Sequence, residues 1–210
     1  RTWHANHLII SDNALQDTRQ DGCEADPAHP DFFGLIDDFL RGYVQPYGQL
    51  INKLYYARCH EDDPQPHYIY SASDFWQEFA LAMNTGNHFV SYIGHAGIAV
   101  WGDEQFVSVS GFNLLTDSDH TPIMLPMTCL EGQYHRLDLV DINNNPIPSG
   151  ISEALLKRAN GGAVASYAPT GLAVTTGHDF LLHGFYNAVF ADGLRETGSA
   201  VYGAKLNLLN

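Results

Sequence analysis

The sequence predicts an α/β fold with a mostly parallel central sheet. Three observations carry this. Short apolar runs of strand length alternate with segments of helical period along the chain, as in βαβ units. The 210 residues are enough to bury roughly 70% of the surface of the unfolded chain, so the core needs no disulfide scaffold. Apolar residues make up 45% and aromatics 12%, an ordinary globular composition tilted towards Tyr and Phe.

Taken in order, "HLIIS" (7–11) reads as a first buried strand, followed by a loop rich in Asp, Gly and Pro. "FFGLIDDFLRGYV" (32–44) places Phe32, Leu35, Ile36, Phe39 and Leu40 at helical spacing. "INKLYYA" (51–57) is the second strand, and "EDDPQPH" is a loop. "SASDFWQEFALAMNTG" opens with Ser71 and Asp74 at capping-box spacing and closes on Gly86, which makes it the second helix. "HFVSYI" (88–93) is the third strand and "IMLPMTC" (123–129) the fourth, with Pro126 expected to mark a bulge. "ISEALLKRANGG" (151–162) is a helix with a Glu153–Lys157 pair and a glycine stop. "AVASYA" (163–168) is the fifth strand, and "HDFLLHGFYNAVFADG" (178–193) is a helix ended by Gly193. No repeats or interior linkers interrupt this order, which predicts one domain over residues 1–210.

With 24 Asp plus Glu against 10 Lys plus Arg, the formal charge is −14. A nucleic-acid partner is excluded on that ground, and cationic peptides or divalent cations are favoured. Cys23, Cys59 and Cys129 leave at least one thiol outside any disulfide. No stretch reaches the roughly 20 apolar residues of a membrane span. The chain opens on "RTWHANHLIISD" with no apolar signal region, which fits an intracellular protein or a processed piece of a longer one. The initial Arg1 favours the piece.

The chemistry-bearing stretch is "NHFVSYIGHAGIAVW" (87–101), in which a strand ends by presenting His95 among Gly94, Ala96 and Gly97. Cys129 ends the fourth strand as His95 ends the third. Open parallel sheets deliver functional residues from the carboxyl ends of their strands. If the two strands are neighbours, imidazole and thiol face one crevice. A thiol is mostly protonated at neutral pH, and a nearby imidazolium lowers its pKa, so the pair supplies a nucleophile and an acid/base. Each residue alone reads more simply as a structural cysteine or a loop histidine.

"SYIGHAG…W", "LPMTCLEG" and "SEALLKRANGGAVASYAPTG" resemble the gingipain family of cysteine peptidases, in the caspase-like clan, over nearly the whole chain. The resemblance implies a three-layer α/β/α caspase-like sandwich and a polypeptide substrate, with no required cofactor. It also implies His95 as the catalytic histidine, Cys129 as the nucleophile, and the N–H groups of Ala96 and Cys129 as an oxyanion hole. Family members usually carry glycine where this chain has Ala96; alanine still donates its N–H, provided that the backbone there needs no positive φ. Tyr167 in "SYAPTG" falls where the clan lines the pocket for the residue before the cut bond. Trp101 recurs in the family, as a substrate contact or as packing. Members are commonly secreted or held at the cell surface with a prodomain and further modules. Some cut after Arg or Lys.

Other constellations are weaker. Glu24 and Asp26, in the loop after the first strand, are candidate acids to orient His95, the plainer reading being a solvated loop. Asp141, Asn143 and Asn145 alternate as oxygen ligands do in an EF-hand, but Pro146 and Ser152 break that motif, leaving a simpler structural calcium clamp or an Asn-rich helix-capping loop. The eleven histidines form no HExxH zinc motif. Two rival functions remain at this level: a catalytically inactive caspase-like binding or assembly module, to which Ala96 points, and a nucleotide binder, which the missing GxGxxG disfavours.

Overall fold

The computed structural model describes residues 2–13, 15–18, 22–25, 31–116, 118–135, 149–172 and 174–209, with the backbone alone at 2, 15–18 and 22–25. The central sheet has six strands: β1 (Asn6–Ser11), β4 (Leu50–Tyr56), β5 (Tyr68–Ile69), β6 (Phe89–Ile93), β9 (Ile123–Met127) and β10 (Ala165–Ser166). Their order is β10-β9-β6-β1-β4-β5, and every pairing is parallel. Two small antiparallel hairpins accompany it: β2 (Leu15–Thr18) with β3 (Gly22–Ala25), and β7 (Val100–Trp101) with β8 (Val107–Ser108).

Alternation along each strand divides the core in two. Leu8, Ile10, Val90, Tyr92 and Met124 face α2 (Ala72–Thr85) and α3 (Ile151–Lys157), together with Trp101, Phe106 and Phe112. Ile9, Phe89, Ile93, Leu125 and Met127 face α1 (Phe32–Phe39), α4 (Thr175–Tyr186) and α5 (Thr197–Leu209). The result is the three-layer α/β/α sandwich, its sheet parallel throughout.

Local chemistry explains the element ends. Ser71 Oγ accepts the Asp74 N–H at 3.1 Å, and Gly86, at φ 97°, stops α2 in a conformation that disfavours other residues. The pair Glu153–Lys157 forms on α3.

Some sequence expectations are corrected. Pro126 marks no bulge: the β6–β9 register runs unbroken through Tyr92↔Pro126. The Met124 carbonyl accepts from Tyr167 on the β10 side, so Pro126, two residues on, faces that side too. Strand β10 pairs only as far as Met124, and no partner needs the missing N–H. The third helix stops at Lys157 because Arg158 turns extended (φ −66°, ψ 121°), and Asn160 (φ 57°), Gly161 (φ 156°) and Gly162 (φ 81°) keep the chain out of the helix beyond it. Strand β10 has two residues rather than six, and α4 starts at Thr175. Helix α5, β5 and the two hairpins were not expected.

Candidate functional site

The register builds the site. Strands β6 and β9 are neighbours, and Ile93 pairs with Met127. His95 and Cys129 each stand two residues beyond that pair, so the two chain ends leave the sheet at one level. Strand β1 flanks β6 on its other side with Ser11↔Ile93, which brings Asp12 to the same edge. The chain runs from β1 outward to β4 and β5, then returns to β6 and runs the other way. The crevice beyond the carboxyl ends of β1 and β6 is therefore the topological switch point, where open α/β sheets take their ligands. A cavity of about 380 Å³ lies there, lined by His95, Ala96, Thr128, Cys129, Phe32 and His178 among others.

The backbone of His95 is held at both ends. Its N–H donates to Asp12 Oδ2 at 3.2 Å. Its carbonyl accepts the Tyr92 hydroxyl at 2.5 Å and the Gly102 N–H at 2.8 Å. The ring meets Phe32 edge-on, centroids 5.2 Å apart. Burial, with Glu104 and Asp103 adding like charge, pushes the Asp12 carboxyl well above the usual carboxylate range. Gly94 and Gly97 do not act through dihedral freedom, since neither has a positive φ. Gly94 is required for closeness: a Cβ there would lie 2.4 Å from Asp12 Cβ and 2.5 Å from the Tyr92 hydroxyl.

The Cys129 loop is fixed by its neighbours. The Thr128 hydroxyl donates to the Gly94 carbonyl at 2.6 Å, tying the residue before the cysteine to the residue before the histidine. Leu130 sits in the left-handed region (φ 60°), and its N–H reaches the Gly171 carbonyl at 3.1 Å. Gly132 N–H reaches the Pro169 carbonyl at 2.8 Å. Glu131 is fully buried; its carboxylate accepts the Trp101 indole N–H and the Ser152 hydroxyl, each at 2.5 Å.

Ala96 forms a bridge with Trp101 whose hydrogen bonds come from Gly97 and Gly102, so the Ala96 N–H takes no part in that ladder. Its φ is not positive. Trp101 stands in the core rather than on the cavity wall: it is 0% exposed and stacks on Tyr92 at 4.3 Å. Tyr167 lines a second cavity of about 390 Å³, which shares Met127 and His178 with the first. Burial lowers the His178 pKa, which keeps its ring neutral. Cys59 is disulfide-bonded, whereas Cys129 keeps its thiol. The side chains of Glu24 and Asp26, and the whole calcium candidate Asp141, Asn143 and Asn145, lie outside the described residues. Among the described residues no cluster of three or more His, Cys, Asp or Glu could hold a metal ion.

Asp12, Thr128 and Glu131 were missed by sequence reasoning. The available signal was position: Asp12 and Thr128 directly follow buried strands, and Thr128 and Glu131 stand within two residues of Cys129.

Comparison with known proteins follows the same outline. The profile of peptidase family C25 matches residues 1–210. Among solved structures, the Arg-specific cysteine proteinase gingipain R (RGPB) superposes with a TM-score of 0.72 at 16% identity, over 99% of this chain and 42% of that one. A complex of Porphyromonas gingivalis RgpB pro- and mature domains gives 0.69 at 16% identity, over 100% and 44%. A third structure, of a protease, gives 0.66 at 15% identity, over 99% and 42%. The chain thus spans less than half the length of these proteins. No curated protein sequence matches. The family profile covers the whole chain and the fold agrees with it: the chain belongs to peptidase family C25, the gingipain family of cysteine peptidases.

Proposed function

We propose that this chain is the peptidase domain of a longer protein and hydrolyses peptide bonds through Cys129 and His95. The observation that carries the reading is the Ile93↔Met127 pairing, which brings both residues to one cavity. The thiol gives its proton to the imidazole and its sulfur adds to the peptide carbonyl carbon. The C–N bond breaks as the imidazolium protonates the leaving amine. Water, deprotonated by the same imidazole, then cleaves the thioester and restores the thiol. The N–H groups of Ala96 and Cys129 are the proposed donors to the oxyanion, groups typically worth 10² to 10³ in turnover. With Ala96 outside the positive-φ region, the argument for an inactive module loses its support.

Tyr167 is proposed as a wall of the pocket for the residue before the cut bond. The described lining of that cavity contains no carboxylate; it includes Leu181, Val174 and Leu208, and its only charged side chain is Lys205. This favours an apolar substrate side chain over a cationic one. The Cys59 disulfide supports an extracellular or cell-surface location, where such bonds persist.

The test is Cys129→Ala, which removes peptide hydrolysis and iodoacetamide labelling while leaving the melting temperature near wild type. Wild-type hydrolysis by Cys129→Ala would overturn the reading.

A further inference from the structure

The two sides of the candidate site belong to different loops, and something must hold them in register. Thr128 reaches the histidine loop directly, through the Gly94 carbonyl. Glu131, on the other side of the cysteine, reaches it through Trp101. The indole donates to the Glu131 carboxylate, and the Trp101 backbone is bridged to Ala96 while its neighbour Gly102 donates to the His95 carbonyl. The same carboxylate accepts from Ser152 at the start of α3, and Ser152 contacts Ser166 of β10 at 2.7 Å. The backbone presses in as well: a Cβ at Gly150 would lie 2.4 Å from the Glu131 carbonyl oxygen.

We propose that Glu131 is a positioning residue of the peptidase site, its carboxylate clamping the Cys129 loop to the strand that holds His95. The proposal rests on the reading of Cys129 and His95 as the reacting pair. A carboxylate fits this place because both partners, as arranged, are donors, and an ionised group accepts both with charge-assisted strength. Protonation turns one oxygen into a donor. The bond from Trp101 then weakens or Ser152 must turn round, and the clamp slackens. Burial raises the Glu131 pKa to about 7, while its two donors pull it back, so the change falls at neutral pH. Among the described residues, the titratable groups that act on or feel this carboxylate are Tyr92 from β6 and Tyr134 from its own loop. Both are held above their ordinary range, hence neutral across it. Ser152 from α3 and Ser166 from β10 carry no charge.

The experiment compares wild type, Glu131→Gln and Ser152→Ala from pH 5.5 to 9. Hydrolysis of casein gives kcat and KM, and iodoacetamide labelling gives the accessibility of Cys129. Displacing a reacting group by about 1 Å can cost on the order of 10² in rate. Glu131→Gln is therefore expected to lower kcat about 10- to 100-fold, with KM within about twofold, and to lose a wild-type limb near pH 7. Ser152→Ala removes a donor that favours the ionised form, so it moves that limb to higher pH, which a merely structural role would not do. The labelling profiles change in the same sense. Retention of every wild-type limb in Glu131→Gln, or an unmoved limb in Ser152→Ala, overturns the assignment. If wild type cuts no casein, the peptidase reading fails by itself, and the labelling profiles alone decide for or against Glu131.

Discussion

Burying a carboxylate leaves a mark on stability that can be read without any substrate. For Glu131 the ordinary value of 4.5 rises to about 7 in the fold. Between these two pH values the folded protein keeps a proton that the unfolded chain has released. Folding stability therefore falls as pH rises from 4.5 to 7, and the loss is complete above 7. At about 1.4 kcal/mol per pH unit, the full loss is about 3 kcal/mol. Glu131→Gln cannot ionise, so the difference in unfolding free energy between variant and wild type should grow by that amount, in favour of the variant, between pH 4.5 and 7.5. Asp12 is also raised, but both proteins contain it and it cancels. The assay is urea unfolding at four pH values across this range. With a slope of about 2 kcal/mol per molar urea, the gap between midpoints should widen by about 1.5 M. A gap that stays constant with pH would refute the buried ionisation.

Three other outcomes follow from the geometry. Gly94→Ala forces a Cβ against Asp12 and Tyr92; a loss of about 1–3 kcal/mol in chemical unfolding is expected from overpacking, and wild-type stability would contradict it. In a peptide library, cleavage should favour apolar side chains before the cut bond, with Lys205→Glu raising turnover after Arg or Lys; a wild-type preference for Arg or Lys would retire the pocket argument. Millimolar calcium should raise the melting temperature if the 141–145 loop binds it, through mass action on the folded state, and identical melts in chelator and calcium would discard that site.

The strands with several consecutive Val, Ile, Leu or Tyr residues were legible because a parallel sheet covered on both faces demands such runs. The two-residue strands β5, β7 and β8 carry too little pattern to read. Helix α5 was missed because it packs through small residues. A Cβ on Gly184 of α4 would lie 2.8 Å from Ala204 Cα, and Ala200 and Ala204 are buried in place of large apolar side chains. His95 and Cys129 could be picked out because a strand end announces itself. Asp12, Thr128 and Glu131 could not, since a polar residue beyond a strand looks solvated until the register shows what it faces. Trp101 was ambiguous for the converse reason: an indole serves a wall or a core equally well, and its full burial, its stack on Tyr92 and its bond to Glu131 show only in the fold.

The parallel pairing of β6 with β9 also has a temporal consequence. During synthesis the histidine strand emerges first, and the thiol strand follows only after the β7–β8 hairpin and the turn behind it. The loop from Phe89 to Ile123 must close before that pairing rewards the chain. A nascent or half-folded chain holds an imidazole with no thiol beside it, and β9 docking joins them. Under the proposed mechanism, the capacity to cut peptides begins only when β9 docks beside β6.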